Sequence, residues 1–375
     1  MDMPVIGVED WLNVWERSAR VDIAQSTIAS LTFEELQALD GEGGATLRDA
    51  IAAEKLNYGW IEGSPAFKEQ VASLYTTDIA PNRILQTNGC TGANLNALMA
   101  VVRPGDHVIA EWPTYAPLYE IPRALGAEVE YWQIHEELGW HPDIEELERL
   151  IRPNTRLICI NNASNPIGTV LSAEEIEAIV EIASSVGAYV LSDEVYLPLE
   201  DTDDFVSVID VYDRGIVTNS VSKTYSLPAA RIGWVIANDE ISQAIRILRD
   251  YTMISGGAIN DCLATYVLAH RDRVLARNSA IMQKNRAIVE QWAAQQPRVH
   301  WTVPKGVSTS YVRFDLPNNL DDETFCLDLL HKRGVLLVPG SRFELPCGAR
   351  LGYCARSEVL EKGLTLLGEA LSELD

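Results

Sequence analysis

The feature that most constrains this fold is a series of short apolar runs between residues 84 and 237, separated by stretches with helical periodicity. One run, residues 157–160, is apolar throughout, which is typical of a parallel strand covered on both faces. Strands joined by crossover helices predict a mainly parallel, doubly wound α/β sheet. Ligands bind such sheets at the carboxyl ends of the strands, so the residues that follow the strands are the first candidates for a functional site.

Helical segments are predicted on both sides of these strands. A short amphipathic helix is expected at residues 9–20, and the helix after the glycine-rich turn at residues 88–92 is expected to begin at Ala93. Two long helices, at residues 240–252 and 264–296, are predicted to join the domains.

The composition predicts a globular, cytoplasmic protein of 375 residues, with 47% hydrophobic and 22% charged residues and room for two domains. The formal net charge of −24 argues against nucleic acid and anionic membranes as partners. No apolar run is long enough to cross a membrane, and the N-terminus has no signal-peptide pattern. The six cysteines form no C-x-x-C pair and no zinc-like spacing with histidines, so we expect reduced thiols and no metal.

A lysine follows one of the predicted strands in a setting suited to covalent chemistry. Lys223 comes after the apolar run 215–219, with Ser220 and Ser222 before it and Arg231 beyond it. An amine must be uncharged to form an imine with a carbonyl, and burial beside a cation favours that form. The two serines and the arginine are also suited to hold a phosphate. Taken alone, the segment also fits a solvated lysine whose stem lies on the surface.

The spacing Ser-x-Ser-Lys-x-x-x-x-Pro-x-x-Arg-x-Gly from residue 220 resembles the cofactor-lysine signature of class I/II aminotransferases. These are pyridoxal 5'-phosphate (PLP) enzymes of fold type I. The resemblance implies a large domain with a mainly parallel, doubly wound sheet and a smaller α+β domain. Residues 1–45 would form an N-terminal arm and part of the small domain, residues 46–270 the large PLP-binding domain, and residues 271–375 the C-terminal small domain.

Two further motifs match the family's cofactor site. A glycine-rich turn between a strand and a helix forms an anion site by itself, although a tight turn needs glycine for other reasons as well. By the resemblance, Gly89, Cys90 and Thr91 bind the cofactor phosphate. Tyr115 ends a Pro-x-aromatic motif, and the resemblance implies that its ring stacks on the pyridine.

The segments after two apolar strands carry the groups that would hold the pyridine ring. An aspartate at the end of a hydrophobic strand, such as Asp193, is costly to bury unless it is paired. The resemblance implies that Asp193 keeps the pyridine nitrogen protonated and that Tyr196 binds the ring hydroxyl. Asn165, in an Asn-Pro pair that is otherwise a structural turn, would bind that hydroxyl and the substrate carboxylate.

The substrate pocket and the subunit interface are assigned from the same resemblance. Arg350 follows a Pro-Gly loop and would clamp the substrate α-carboxylate, for which a guanidinium has the right geometry. Tyr58 lies in a Tyr-Gly-x-x-x-Gly segment and would reach the phosphate of the other subunit in a homodimer. Ile28 and Trp60 are assigned to the substrate pocket, and further pocket candidates are Thr27, Tyr115 and Ser255.

The implied reaction is transamination between an amino acid and a 2-keto acid, with Lys223, Asp193 and Tyr196 as catalytic residues. Lys223 would hold PLP as an internal aldimine and then act as the general base, while Asp193 stabilises a quinonoid. The arm at residues 22–30 lacks the family's usual glycine, so Ser26 to Ile28 would present side chains toward the substrate. This arm and the segment 57–63 are also similar to capreomycidine-synthase-like enzymes. These PLP enzymes cyclise or oxidise arginine or a derivative, so a lyase, cyclase or oxidase is the alternative.

A PLP-sensing regulator would need a DNA-binding module, for which the chain has no spare length or basic patch.

Overall fold

The computed structural model of the chain describes residues 3–41, 45–200 and 204–374. The helices are α1 (Gly7–Trp15), α2 (Phe33–Gln37), α3 (Ala45–Ala53), α4 (Pro65–Ala72), α5 (Gly89–Val101), α6 (Pro117–Ala124), α7 (Ile144–Leu150), α8 (Ala173–Val186), α9 (Val208–Val211), α10 (Asp239–Thr252), α11 (Ala258–Ala269), α12 (Arg271–Ala293), α13 (Asp322–Arg333) and α14 (Ser357–Ser372). The strands are β1 (Val21–Asp22), β2 (Ile84–Asn88), β3 (His107–Trp112), β4 (Glu128–His135), β5 (His141–Pro142), β6 (Thr155–Asn161), β7 (Tyr189–Asp193), β8 (Gly215–Ser220), β9 (Ile232–Ile236), β10 (Val299–Trp301), β11 (Ser310–Phe314), β12 (Val335–Leu336), β13 (Val338–Pro339) and β14 (Gly348–Leu351).

The predicted doubly wound sheet is present, with strand order β2-β9-β8-β7-β6-β3-β4-β5. The neighbours β8, β7, β6, β3 and β4 pair in parallel. Strand β9 is antiparallel to both β2 and β8, and β5 is antiparallel to β4. The sheet is therefore mainly parallel, and the carboxyl ends of β6, β7 and β8 meet at one edge.

Both faces of this sheet are covered by hydrophobic core. In β6 the side chains of Ile158 and Ile160 belong to one core cluster, whereas Leu157 and Cys159 belong to another. Successive side chains of a strand point to opposite faces, so the alternation between clusters means that neither face is exposed. This double burial accounts for the continuous apolar run in the sequence.

The second sheet is smaller and brings the two ends of the chain together. Its antiparallel strands have the order β10-β11-β14-β13, and β1 pairs in parallel with β12 beside it. One core cluster combines Trp11 and Ile23 from the N-terminal segment with Leu336, Leu351 and Leu360 from the C-terminal one. This shared core packs the N-terminal segment against the C-terminal one, while the division of the chain at residues 45 and 270 stays a prediction.

Three predicted helices differ from those observed. The helix expected at residues 264–296 is two helices, because α11 ends at Ala269 and His270 adopts a non-helical conformation with φ −107° and ψ 20°. Helix α1 begins at Gly7 and ends as an α-helix at Trp15. Helix α5 begins at Gly89, four residues earlier than expected, which puts the glycine-rich turn in its first turn. Within the described ranges, no helix combines the length and the apolar character needed to cross a membrane.

Candidate active site

Most of the predicted site residues line one cavity of about 210 Å³ at the carboxyl ends of the parallel strands. Strands β7 and β8 and the loops after β6 and β8 form one wall, while α1, the N-terminal arm and β14 form the other. The predicted residues that line it are Cys90, Thr91, Tyr115, Asn165, Asp193, Tyr196, Ser220, Ser222, Lys223, Arg231 and Arg350. A carboxylate, an amine and two guanidinium groups therefore face one another in a space suited to a small molecule.

Asp193 ends β7 with a side chain that is only 2% exposed. Its carboxylate accepts hydrogen bonds from the Asn94 amide at 2.6 Å, the Cys90 thiol at 3.3 Å and the Val195 backbone N–H at 3.1 Å. Burial raises the pKa of Asp193 above its ordinary value, although these donors oppose the shift. A buried carboxylate of this kind is stabilised further by a cation placed against it.

Asn94 is itself held in place by a buried neighbour. The hydroxyl of Thr218, in β8, donates to Asn94 Oδ1 at 2.6 Å, and both side chains are fully buried. The amide oxygen is thereby occupied, which leaves the amide nitrogen to face Asp193. Helix α5 and two strands of the sheet thus fix the orientation of the Asp193 carboxylate.

Lys223 lies in the loop after β8, facing the N-terminal arm. Its Nζ donates a hydrogen bond to Ser26 Oγ at 2.8 Å. The same nitrogen lies 6.0 Å from the centre of the Tyr196 ring. The amine is therefore directed into the cavity by groups on both of its walls.

One end of the cavity is suited to an anion. Helix α5 begins without a side-chain cap, so its first backbone N–H groups are free to bind a ligand at Cys90 and Thr91. Gly89 has φ +67°, and a Cβ atom there would lie 2.5 Å from Nη2 of Arg231. Glycine is therefore required for the guanidinium to lie against the helix start. Ser220 and Ser222 line the same end of the cavity, where the Ser222 N–H donates to Ser220 Oγ at 3.2 Å.

A second guanidinium is buried opposite the Asp193 wall. Arg350, in β14, is 4% exposed and donates from Nη1 to Asn165 Oδ1 at 3.2 Å and from Nη2 to the Ala24 carbonyl at 3.0 Å. Its buried Nε has no hydrogen-bond partner among the described residues. The guanidinium thus keeps an unused donor, as a residue that binds a carboxylate needs.

Two tyrosines complete the cavity wall. The Tyr115 hydroxyl lies 3.3 Å from Thr91 Oγ1, and burial raises the pKa of this tyrosine above its ordinary value. Tyr196 is 4% exposed and packs with Val195 and Ala163. The Tyr115 hydroxyl therefore stays neutral and is able to donate a hydrogen bond near neutral pH.

The remaining predicted residues do not line this cavity in the single chain. Tyr58 and Trp60 are 69% and 57% exposed in the segment before α4. Ile28 is 2% exposed within the core cluster of the smaller sheet. Thr27 and Ser255, which the sequence suggested as pocket residues, do not line it either.

Several lining or supporting residues were not assigned from the sequence: Asn94, Asn161, Thr218 and the α1 side chains Val8, Glu9 and Leu12. Asn94 lies four residues after Cys90, so the two side chains share a helix face, and a buried asparagine on an otherwise apolar face was a usable signal. Asn161 ends β6 and links Asp193 with Asn165, because its amide donates to the Asp193 carbonyl at 2.8 Å and its Oδ1 accepts the Asn165 N–H at 2.9 Å. The α1 side chains carried no comparable signal, whereas Ser26 lines the cavity as the glycine-free arm predicted.

Known proteins resemble this chain over nearly its whole length. The family model "Aminotransferase class I and II" matches residues 38–365. A PLP-dependent aminotransferase of Streptococcus suis has 52% sequence identity and a TM-score of 0.96, over 100% of this chain and 99% of that one. Capreomycidine synthase of Streptomyces vinaceus is 29% identical over 98% of this chain and 94% of its own length. An aspartate aminotransferase of Thermotoga maritima is 28% identical over 93% of this chain and 87% of its own length.

The chain therefore belongs to the class I and II aminotransferase family. The prediction of a PLP-dependent enzyme of this family with fold type I is confirmed, as is the similarity to capreomycidine synthase. The donors present fit the cofactor chemically: an anion site at the start of α5, a buried carboxylate at Asp193 and an amine at Lys223 line one cavity. These groups suit the phosphate, the pyridine nitrogen and the aldehyde of PLP, respectively.

Proposed function

We propose that this protein moves an amino group between an amino acid and a 2-keto acid, using PLP held between Lys223 and Asp193. One observation carries the proposal. The Lys223 amine and the buried Asp193 carboxylate line the same cavity, with an anion site at one end and the Arg350 guanidinium in the opposite wall. Bound PLP would supply an aldehyde carbon that accepts the amino group and a ring that withdraws electrons from the substrate Cα.

Residues of the sheet edge would hold the cofactor. The N–H groups at Cys90 and Thr91 and the side chains of Ser220, Ser222 and Arg231 would bind its phosphate. Asp193, held by Asn94, would keep a proton on the pyridine nitrogen, because a buried carboxylate favours an adjacent cation. Asn165 and Tyr196 would donate to the ring hydroxyl, and Tyr115 would lie against the ring face.

Two residues would then act on the substrate. Arg350 would bind the α-carboxylate with its free Nε–H and the adjoining Nη–H groups. The Nζ of Lys223, once neutral, would take the proton from Cα and deliver it to the cofactor carbon as a general acid. Because Arg350 is anchored to Asn165 and to the Ala24 carbonyl, the carboxylate end of the substrate would be fixed while the proton moves.

The active unit would be a homodimer in which Tyr58 of the partner subunit completes the phosphate site. In the single chain Tyr58 is 69% exposed, together with Leu56 at 89% and Trp60 at 57%. Such a group of exposed apolar side chains marks a surface that another protein covers. A cytoplasmic location is part of the same proposal, since all six cysteines are free thiols and a reducing compartment keeps them so.

Spectroscopy of the purified protein tests the cofactor assignment. We expect a visible absorbance band that borohydride abolishes, with the cofactor then attached to Lys223 by peptide mass spectrometry. The Lys223→Ala variant should lack the band. Incubation with L-aspartate, L-alanine or L-arginine and 2-oxoglutarate should then yield the matching keto acid and glutamate. A wild-type protein without the band, or one that gives no keto acid from a full panel of amino acids, would refute the proposal.

A second candidate, a PLP-dependent lyase, cyclase or oxidase acting on arginine or a derivative, is favoured by one feature of the site. The arm, which lacks the glycine usual in aminotransferases, presents the Ser26 hydroxyl to Lys223, and the similarity to capreomycidine synthase includes this arm. The two candidates differ in their need for an acceptor. Turnover of L-arginine without any 2-keto acid, with ammonia release, oxygen uptake or a cyclic product, would support the second candidate over transamination.

A further inference from the structure

We propose that Ser26 is a positioning residue for Lys223: its hydroxyl, presented by the N-terminal arm, holds the lysine amine where it must stand to move the substrate proton. This inference rests on the function proposed above and adds a residue from a part of the chain that supplies none of the cofactor groups. The arm comprises residues 22–30.

The contact between the two side chains is short and enclosed. Lys223 Nζ donates to Ser26 Oγ at 2.8 Å, across 197 positions of sequence. Ser26 is 7% exposed, and both residues line the active-site cavity. In this contact the serine oxygen accepts, and among the described residues no acceptor is recorded for its own hydrogen, which therefore remains available for a donor contact inside the cavity.

The arm is held firmly enough to fix that hydroxyl. Alternate carbonyl groups accept hydrogen bonds from distant side chains: Ala24 from Arg350 at 3.0 Å, Ser26 from Ser308 at 2.7 Å and Ile28 from Ser226. The arm also lies directly on Gly352, where a Cβ atom would be 1.5 Å from the Gln25 carbonyl oxygen. Any larger residue at 352 would displace the arm, so the close approach depends on glycine.

The arm therefore links the two groups that act on the substrate. The carbonyl of Ala24 anchors Arg350, and two residues later the hydroxyl of Ser26 anchors Lys223. A free lysine amine has several rotatable bonds, and a hydrogen bond to a fixed partner removes much of that freedom. Proton transfer depends on such placement, because a displacement of about 1 Å is enough to slow a reaction by about 100-fold.

The test compares three arm variants of the holoenzyme: Ser26→Ala, which removes the acceptor, Ser26→Thr, which keeps a hydroxyl, and Ser30→Ala as a matched control. Ser30 is exposed on the same arm. With the best amino donor from the panel above and 2-oxoglutarate, we expect Ser26→Ala to lower kcat by about 10- to 100-fold. The KM for the amino acid should stay within about twofold, because Arg350 keeps its contacts.

A second measurement does not depend on turnover. After hydroxylamine treatment and desalting, added PLP should be recaptured at Lys223, as followed by absorbance and by borohydride trapping. We expect Ser26→Ala to slow this recapture by about tenfold, because the amine loses the hydrogen bond that directs it into the cavity. Ser26→Thr should restore the rate at least in part, and Ser30→Ala should match the wild type in both measurements.

The possible results separate this inference from the proposed function. A wild type with no borohydride-sensitive band would refute the proposed function itself. A normal wild type, together with a Ser26→Ala variant that keeps its kcat and its recapture rate, would refute only the role of Ser26. A general weakening of the fold would lower the melting temperature and raise KM, and Thr at position 26 would not reverse it; that outcome also counts against a positioning role.

Discussion

Asp193 and Ser26 line the same cavity, but the parts of the molecule that carry them are held in different ways. Asp193 stands at the end of β7, and its partners Asn94 and Val195 belong to a helix and a loop that adjoin the same sheet edge. Ser26 stands on an arm that begins at the end of the two-residue strand β1, and this arm is held by side chains that donate to its backbone carbonyls. Asp193 is thus held at the end of a strand, whereas Ser26 is held by hydrogen bonds from distant side chains to the arm.

This difference matches a division of chemical tasks. The wall formed by β7, β8 and the loops after β6 and β8, here called the sheet wall, carries the groups proposed to bind the cofactor. Its buried hydrogen bonds make it rigid. The opposite wall, formed by α1, the arm and β14, is called the arm wall. Its Ala24 carbonyl and Ser26 hydroxyl accept hydrogen bonds from Arg350 and Lys223, the residues proposed to bind the substrate and move its proton. We infer that changes in the sheet wall should weaken cofactor binding, whereas changes in the arm wall should affect the placement of the Lys223 amine and of the substrate.

The largest expected effect comes from Asp193→Asn in the sheet wall. Removal of one partner of a buried ion pair costs about 4 kcal/mol, so kcat/KM should fall by about 10³-fold. The matched control is Glu194→Gln at the next residue, whose carboxylate is buried but accepts hydrogen bonds from Ser207 away from the cavity. Steady-state kinetics at saturating cofactor measures both variants, and an active Asp193→Asn enzyme would contradict the role given to the sheet wall.

Arg350→Lys should give the next largest effect, and it should appear in substrate affinity. An ammonium cannot reproduce the forked donors of a guanidinium, so we expect the KM for the amino acid to rise by about 10- to 100-fold. The affinity for the cofactor should change little, since Arg350 belongs to the other wall. Arg313→Lys on the neighbouring strand β11, where the arginine pairs with Glu136 near the surface, is the control. If cofactor loss accompanied the KM change in Arg350→Lys, the two walls would not act separately.

Asn94→Ala should weaken cofactor binding by about tenfold, because the Asp193 carboxylate loses a hydrogen bond at 2.6 Å. Equilibrium dialysis or fluorescence titration with PLP measures the change. Asn96→Ala is the control, because this buried asparagine on the same helix accepts a hydrogen bond from Thr252 instead of contacting Asp193. Equal losses of affinity in both variants would show that α5 contributes through general stability alone.

The smallest effect should be a change in the pH dependence of stability. Burial raises the pKa of Glu111 to about 8, and one oxygen of this carboxyl accepts the Asn161 N–H at 2.7 Å. A raised folded-state pKa means that the contribution of Glu111 to stability is complete below its unfolded pKa of about 4.3 and is lost as the pH rises through about 8. Glu111→Gln removes this titration, so we expect it to melt a few degrees above the wild type at pH 9 and by a smaller margin at pH 6.

A control for this last experiment is Glu145→Gln, which changes an exposed glutamate on α7. Its melting temperature should follow that of the wild type at both pH values. A parallel pH dependence of the wild type and Glu111→Gln would mean that Glu111 does not stabilise the fold through its protonated form.

The residues of the sheet wall were easier to predict from the sequence than the residues of the arm wall. Residues such as Asp193 and Asn165 follow apolar strands, and parallel strands bring their ends together whatever the details of packing. Asn94 could have been predicted as a supporting residue, because it shares a helix face with Cys90. The break between helices at His270 could not have been predicted, since the sequence on both sides of it has helical periodicity and one residue alone leaves the helical conformation.

Short-range patterns of strand, turn and spacing predict the fold class and the residues at the sheet edge, and the resemblance of the motifs to a known family adds the cofactor. Long-range packing sets three further features: Ser26 faces Lys223, Arg350 is anchored on the arm, and Ile28 lies in the core of the smaller sheet. The physical reason is that contacts across about 200 residues or more arise when the two ends of the chain bury a common hydrophobic core. No local pattern records which side chains that packing brings together.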